Sequence, residues 1–420
     1  MCVVRILLWH GYLLGGTGSN VYTRQLAREW SRAGYEVTVL SQERRPEDYD
    51  LGGAATVRPD VGGFLPVFVL DRYEGFDDVR RVPDCTREEL ERWVDANAAA
   101  VRALLPADLV YLNHVLLGGP VGADTGAAYA VKAHGSELEY AMRGRRDLGA
   151  WGAQSLAGAR ATFVGSAHIR DVVSEVCGPV PRVHEVPPGV DIELWRPEER
   201  EVALAALLEE ASKDAPNPGN AEERLPDDGN AARLAPFLAD EIPTVVYFGK
   251  LIEQKGVHVL LHALHGLDAR VVVVGFGPER AQLERLAASE GVRALFTGPL
   301  EHRHLRHLLA LADACVVPSV FPEAFGMVAA EAAAAGCPPV VSRHSGLAEV
   351  AAELEAALPP ALGPLVSFPA GDAGALHERL GLLLALPATD RAALRSTVRR
   401  VVEERWSWAG IARRLLELAT

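Results

Sequence analysis

Two carboxylates, Glu323 and Glu331, are separated by seven residues that are nearly all small or apolar, in the stretch Pro322-Glu323-Ala324-Phe325-Gly326-Met327-Val328-Ala329-Ala330-Glu331. Glu323 falls in a loop entered through Pro322 and left through the Gly326-Met327 step. Met327 to Ala335 reads as a helix, ended by Gly336 and the stop Pro338-Pro339. A helix start leaves backbone N–H groups without acceptors, which favours an anion there, while carboxylates accept hydrogen bonds from hydroxyls. A ligand carrying both phosphate and hydroxyls answers to both features, and a nucleotide sugar is such a ligand. Taken alone, the stretch also reads as a helix-capping Glu323 followed by a Glu331 on a buried face.

Cations stand upstream of the carboxylates. Val245 to Phe248 reads as a strand ending in Gly249-Lys250, and Lys255-Gly256 opens the helix that follows. Two lysines in a glycine loop suit a leaving diphosphate, which gathers negative charge as a glycosidic bond breaks. The pattern recurs. Arg270 to Val274 ends in Gly275-Phe276-Gly277, Ala294 to Phe296 ends in Thr297-Gly298-Pro299, and Ala314 to Val317 runs into the Glu323 loop. Strands that alternate with helices and meet glycine or charge at their carboxyl ends predict a parallel sheet with those ends along one edge. Lys250, Lys255, Gly275, Gly277, Gly298, Glu323 and Glu331 are therefore expected to converge.

The N-terminal half is built alike. Val3 to Trp9, the glycines of Gly15-Gly16-Thr17-Gly18, a helix from Asn20 to Ala33 and the strand Tyr35 to Leu40 make a βαβ unit. Val21 stands where a dinucleotide fingerprint has its last glycine, so that fingerprint is incomplete and a backbone cradle remains. Thr86 caps an amphipathic helix, and the strand Ala128 to His134 places His134 at a carboxyl end, where open α/β sheets bind ligands. Arg143, Arg145 and Arg146 come next; they read either as a site for an anionic acceptor or as a solvated basic loop. Asp48-Tyr49-Asp50 has the Asp-x-Asp form of metal-dependent sugar transferases, yet it sits among Arg44, Arg45 and Glu47 and reads as a solvated run.

At 420 residues the chain exceeds one ordinary core, so two domains are expected. Its formal net charge of −14 argues against an extended nucleic-acid footprint. Five scattered cysteines, Cys2, Cys85, Cys177, Cys315 and Cys337, lack CxxC spacing and suggest reduced thiols in a cytoplasmic protein. No apolar run has the length of a membrane span, which leaves peripheral membrane contact at most. Residues 197–241 are acidic and rich in Pro, Gly and Asn, and read as a mobile connection with one or two short helices. The boundaries expected are an N-terminal domain over 1–190, completed by a C-terminal helix at about 404–420, and a second domain over 191–403.

With Pro187-Pro188-Gly189-Val190-Asp191 and Gly277-Pro278 added, these motifs run almost the whole length of the chain. Together they resemble family 4 of the retaining glycosyltransferases, of which the Glu-x₇-Glu segment with Phe-Gly inside it is the most specific mark. The resemblance implies the GT-B fold, an α/β architecture of two Rossmann-like domains whose parallel sheets face a central cleft. It implies that Glu331 binds ribose hydroxyls, Glu323 a hydroxyl of the donor sugar, and Lys250 and Lys255 the diphosphate. It places Gly249 and the backbone of Phe325, Gly326, Met327 and Val328 near the donor, His134 against the donor sugar, and Gly15 and Gly16 along the cleft. The implied reaction is retaining transfer of a hexosyl unit from a nucleoside-diphosphate sugar, UDP before GDP, to a hydroxyl acceptor. Donor and acceptor are small molecules, and neither metal nor other cofactor is required. Two departures stand out: Lys250 replaces the usual Arg, and Pro188 replaces the more usual Asn. An epimerase or hydrolase of sugar nucleotides, or a non-catalytic nucleotide-sugar-binding protein, are the alternatives the sequence leaves open.

Overall fold

Short runs of Val, Ile and Leu alternate along the chain with longer amphipathic segments, and the computed structural model, which describes residues 4–69, 73, 75–217 and 225–420, turns the former into strands and the latter into helices. Cys2 and residues 218–224 lie outside the described residues. The chain divides into two units, Met1–Gly189 with Trp408–Thr420, and Val190–Ser407.

In the first unit the strands are β1 (Arg5–Trp9), β2 (Glu36–Leu40), β3 (Ala55–Val57), a separate pair β4 (Phe64–Val67) and β5 (Asp78–Arg81), then β6 (Leu109–Asn113), β7 (Tyr129–Lys132), β8 (Ala161–Val164) and β9 (Val183–Glu185). The main sheet has the order β3-β2-β1-β6-β7-β8-β9, and its pairings are parallel. A parallel sheet is covered on both faces, so its strands are apolar throughout, and alternate residues feed two separate cores. Leu7, Trp9, Leu112 and Val131 pack on one face, with the helix Arg87–Arg102, whose Thr86 and Glu89 form a reciprocal capping box. Ile6, Leu8, Tyr111 and Phe163 pack on the other, with the helix Gly18–Arg32 and the C-terminal helix Trp408–Ala419.

That last helix belongs to the first unit although it ends the chain. The helix Ala388–Arg405 stops at Trp406, whose carbonyl accepts from Val190 N–H at 2.6 Å. Trp408–Ala419 then lays Ile411 and Leu415 among the buried side chains around Trp30, whose indole N–H donates to Ala412 O at 2.9 Å.

The second unit holds β10 (Thr244–Phe248), β11 (Arg270–Val274), β12 (Arg293–Phe296), β13 (Ala314–Val317), β14 (Pro339–Ser342) and β15 (Ser367–Phe368), in the order β12-β11-β10-β13-β14-β15. This is the 3-2-1-4-5-6 arrangement of a doubly wound nucleotide-binding sheet. The segment 197–241 carries the two short helices expected of it and is built into this unit where it is described. Its helices Arg200–Ser212 and Asn230–Leu238 bury Ala203, Leu207, Leu234 and Leu238 in the main core. Arg303 holds Glu210 at 2.9 Å and Asp214 at 2.5 Å, and Arg280 grips Asp227 through two bonds of 2.7 and 2.6 Å. Glu210, Asp214 and Asp227 are thus the counter-charge of arginines on neighbouring helices.

Because the C-terminal helix closes one face of the first sheet, Leu415→Ala should destabilise the first unit by about 2–5 kcal/mol, the usual range for a buried leucine. Urea unfolding followed by Trp30 fluorescence should show the midpoint falling, with the second unit's transition unmoved.

Candidate active site

The strand order of the second unit reverses between β10 and β13. Loops leaving the carboxyl ends of these two neighbours diverge to opposite faces of the sheet, and the crevice between them is where such sheets bind ligands. The loop after β10 carries Gly249, Lys250 and Lys255; the loop after β13 carries Ser319 and Glu323.

Backbone contacts lock the two loops together. Val320 N–H donates to Gln254 O at 2.9 Å. Gly256 has φ +66°, and a Cβ there would lie 2.0 Å from Pro318 O, so only glycine permits this approach. The result is a direct pairing of the Lys255 ammonium with Glu323 Oε1, across 68 positions of sequence. Ser319 Oγ donates to the same oxygen at 2.7 Å. Lys250 is exposed at the end of its strand, where Tyr247 O–H holds its carbonyl at 2.8 Å, and no ion pair to its ammonium occurs among the described residues.

Met327–Ala334 forms the helix expected, one residue shorter at its end, with Gly326 left-handed before it. The first amides of this helix, Met327 and Val328, have no intrahelical acceptor, as its geometry dictates. Phe325 anchors the entry by burying its ring edge-on to Trp406, with centroids 5.5 Å apart. Glu331 stands apart from the Lys255–Glu323 pair, one turn inside the helix, and its carboxyl makes no hydrogen bond or ion pair among the described residues. Glu331 is half-buried, and the desolvation of its carboxyl pushes its pKa up to about 8.

The remaining glycines named from sequence meet protein. A Cβ at Gly275 would fall 1.8 Å from Gly249 O, one at Gly277 would fall 2.3 Å from Leu251 O, and one at Gly298 would fall 2.7 Å from Asp227 Oδ1. These positions are glycine because adjoining loops pass against each other.

The first unit has its own reversal, between β1 and β6. The carboxyl ends of β1, β6 and β7 gather His10, Asn113, His114, Lys132, His134 and Glu137. Two asparagines fix the tautomers of two histidines. Asn113 Nδ2 donates to Trp9 O and Thr23 Oγ1, so its Oδ1 accepts from His134 Nε2 at 2.8 Å. Asn20 Nδ2 donates to Gly15 O, so its Oδ1 accepts from His10 Nε2 at 2.7 Å. Glu137 is buried and accepts from His134 N–H at 2.6 Å, Val115 N–H at 3.3 Å and His114 Nδ1 at 3.1 Å. Burial, then His114, lowers the His10 pKa to about 3. Burial, then His114, Lys132 and His10, holds His134 well below its usual range. Lys132, which donates to Val186 O at 2.9 Å, is lowered by burial to about 7.

Of the other residues singled out, Gly15 lies under the Tyr49 hydroxyl, 2.5 Å from where its Cβ would be, and Gly16 is left-handed with open space beside it. The arginine cluster read as an acceptor site is largely committed within the chain. Arg143 pairs with Glu139 at 2.7 Å and with Glu175, Arg145 pairs with Asp147 at 2.8 Å, and Arg146 is exposed at a helix start. Asp48 and Asp50 pair with Arg45 and Arg32 at 3.3 and 2.7 Å. Sequence reading missed Ser319, Ser345 and His344 around Glu323, and His10, His114 and Glu137 around His134. The signal available was position, since His10 and His114 directly follow an apolar strand and the other four come within five residues of one.

A sequence profile described as "Glycosyltransferase Family 4" matches residues 16–194, and one described as "Glycosyl transferases group 1" matches residues 233–400. The chain belongs to this glycosyltransferase family. A D-inositol 3-phosphate glycosyltransferase of Xylanimonas cellulosilytica is 35% identical over 177 residues, which are 40% of this chain and 37% of that protein. A GDP-mannose-dependent alpha-(1-6)-phosphatidylinositol dimannoside mannosyltransferase of Mycobacterium tuberculosis is 42% identical over 112 residues, 25% of this chain and 29% of the relative. The chain thus aligns with about a third of the length of the curated relatives it matches. Among solved structures, the sucrose-phosphate synthase of Thermosynechococcus elongatus superposes with a TM-score of 0.67 at 23% identity, covering 99% of this chain and 98% of that one. Anabaena HepE, crystallised with UDP and glucose, gives 0.69 at 15% identity, covering 98% of both. These likenesses establish the GT-B fold for this glycosyltransferase-family chain. No described helix is long and apolar enough to cross a membrane, and no group of three His, Cys, Asp or Glu among the described residues is placed to hold a metal ion.

Glu331 gives this site a pH signature. Its pKa is about 8 when folded and 4.5 as an ordinary glutamate. Between those values the folded chain keeps a proton that the unfolded chain has released, so its contribution to stability falls as pH rises through this window. In the unliganded protein, Glu331→Gln should flatten the decline of the second unit's melting temperature between pH 5 and 8, measured by calorimetry. An identical slope in wild type and variant would show the carboxyl to be ordinary.

Proposed function

We propose that the protein is a retaining hexosyltransferase that uses a nucleoside-diphosphate sugar, with UDP as the nucleotide, and a hydroxyl-bearing small molecule as acceptor. The observation that carries this reading is the cluster at the β10–β13 reversal: Lys250, without an ion pair among the described residues, the Lys255–Glu323 pair and the start of the Met327–Ala334 helix. Cations and free amides answer to a diphosphate, and Glu323 and Glu331 answer to sugar and ribose hydroxyls. HepE was crystallised with UDP, which supports the choice of base, and the mannosyltransferase relative named for GDP-mannose is the counterweight.

On this reading the donor rearranges the site. The diphosphate takes Lys255 from Glu323, and Glu323 turns its freed oxygen to a donor hydroxyl. The anomeric carbon–oxygen bond to the diphosphate then breaks as Lys250 and Lys255 neutralise the growing phosphate charge. The acceptor oxygen bonds the anomeric carbon from the face the diphosphate leaves, and the acceptor proton passes to a phosphate oxygen. Glu323 is not assigned as a nucleophile, since its carboxylate holds a donor hydroxyl and accepts from Ser319. In the first unit, His134 acts as a neutral hydrogen-bonding group rather than an acid, because its pKa is held well below 6.5.

A thermal-shift screen of UDP-, GDP- and ADP-sugars should single out a UDP-sugar, since a ligand bound only by the folded state stabilises it. With that donor, Lys255→Ala and Glu323→Gln should each lower turnover by about 10²–10³-fold, the range for loss of one preorganised charge-stabilising group, without loss of fold. Unchanged turnover in both would remove the site assignment, and donor consumption that ignores acceptor would mark a hydrolase or epimerase. Two lysines and a helix start suffice for the diphosphate, so the rate should persist in excess chelator. Activity lost and restored by magnesium or manganese would overturn the metal-free reading.

A further inference from the structure

The loop that carries Glu323 rests on a second loop, which comes after β14. Ser342 Oγ donates to Ser319 O at 2.6 Å, and His344 Nε2 lies 2.7 Å from the same carbonyl. A carbonyl only accepts, so His344 carries its proton on Nε2, and in the neutral ring Nδ1 is a lone pair. Ser345 Oγ lies 3.0 Å from that Nδ1 and 2.8 Å from Glu323 N. The amide is a donor, so the serine oxygen accepts from Glu323 and its own proton goes to His344. The protons therefore run in one direction, from Glu323 N–H to Ser345, from Ser345 O–H to His344 and from His344 N–H to Ser319 O. Gly346 N–H completes the hold by donating to Glu323 O at 3.0 Å.

Ser345 makes these bonds from a left-handed backbone, φ +46°, which strains a residue with a Cβ. A serine persists in such a conformation when its surroundings over-determine it, and here two hydrogen bonds to its hydroxyl do so. Every backbone polar group of Glu323 and one carboxylate oxygen are thereby fixed before any donor arrives.

We propose that Ser345, backed by His344, is a positioning residue that sets the pose of Glu323 and thereby governs recognition of the donor's sugar independently of its nucleotide. This rests on the reading of Glu323 as the ligand of a donor hydroxyl.

The test compares Ser345→Ala, Ser345→Gly and His344→Phe with Glu323→Gln, by calorimetric titration with UDP-glucose and with UDP, or with GDP-mannose and GDP if the screen selects guanosine. Ala removes the hydroxyl and keeps the strained backbone, while Gly removes the hydroxyl and relieves the strain, so a shared defect traces to the hydroxyl. Both should lose about tenfold in affinity for the sugar nucleotide, the worth of one charge-assisted hydrogen bond. Affinity for the bare nucleotide should hold within about twofold. His344→Phe should show a smaller loss in the same direction. Ser345→Gly added to Glu323→Gln should cost nothing further, because both act through one contact.

Parallel loss of nucleotide and sugar nucleotide would overturn the proposal, as would Ser345 variants that bind both normally. If Glu323→Gln itself binds the sugar nucleotide normally, or the wild type binds neither probe, the reading of the site falls first.

Discussion

A parallel sheet buried on both faces tolerates polar side chains poorly along its strands, so chemistry in this protein is confined to the residues just beyond their carboxyl ends. The confinement is sharpest where strand order reverses, because there the loops from two neighbouring strands part to opposite faces and leave a gap that main-chain hydrogen bonds do not close. Each unit has one such reversal, at β1–β6 and at β10–β13. Both are filled by the residues next in sequence: His10 and His114 in the first, Gly249-Lys250 and Pro318-Ser319 in the second. The dense packing of helices around each sheet holds those strand ends in place, and most of the chain serves that end.

The two gaps are filled by opposite electrostatic solutions. In the second unit the groups are partly exposed, and Lys250, Lys255 and Glu323 remain available to an incoming ligand. In the first unit the polar groups are buried, and burial decides their protonation. His10 and His134 are held neutral, Lys132 titrates near neutrality, and Glu137 collects two backbone amides and an imidazole. Asn20 and Asn113 could in principle face either way, but each has its amide nitrogen committed to an acceptor, which leaves only the oxygen for histidine. Proton positions in this cluster are set by main-chain carbonyls at its edge. The first unit thus gathers a buried, hydrogen-bonded cluster and the second a partly exposed, charged one.

Strand ends were legible in the sequence because their signal is local: four or five apolar residues, then Gly, His or Lys. Which strand ends touch was not, because contact depends on sheet order. Nothing in the spacing of Lys255 and Glu323 announces that β10 and β13 are neighbours, and the serines that hold Glu323 come from the loops after β13 and β14. The glycines are ambiguous for a related reason. Gly275, Gly277 and Gly298 do mark close approach, but what approaches is another stretch of this chain, and a glycine in sequence does not distinguish a ligand from a carbonyl. Composition was incomplete over 197–241, where Glu210, Asp214 and Asp227 gave the look of a solvated stretch around the short helices. Each in fact answers an arginine, and the apolar residues at helical spacing, Ala203, Leu207, Leu234 and Leu238, were the better signal.

The pairing of Lys255 with Glu323 also explains how a site can be ordered and yet open to its ligand. Both side chains keep part of their surface in water, and ion pairs of that exposure contribute about 0–1 kcal/mol. On the proposed reading a diphosphate, which brings more charge than one carboxylate, displaces Glu323 from Lys255 without a large penalty. Glu323 then remains a competent acceptor because its backbone and Ser319 still hold it. Lys250 fits the same logic. An ammonium on a flexible stem takes one oxygen at a time and can track the phosphates as they depart, where a guanidinium fork would hold two oxygens in a fixed plane. On that reading, with the carboxylate braced by neutral hydrogen bonds and the cations able to follow the phosphates, recognition of the sugar is separated from stabilisation of the leaving group.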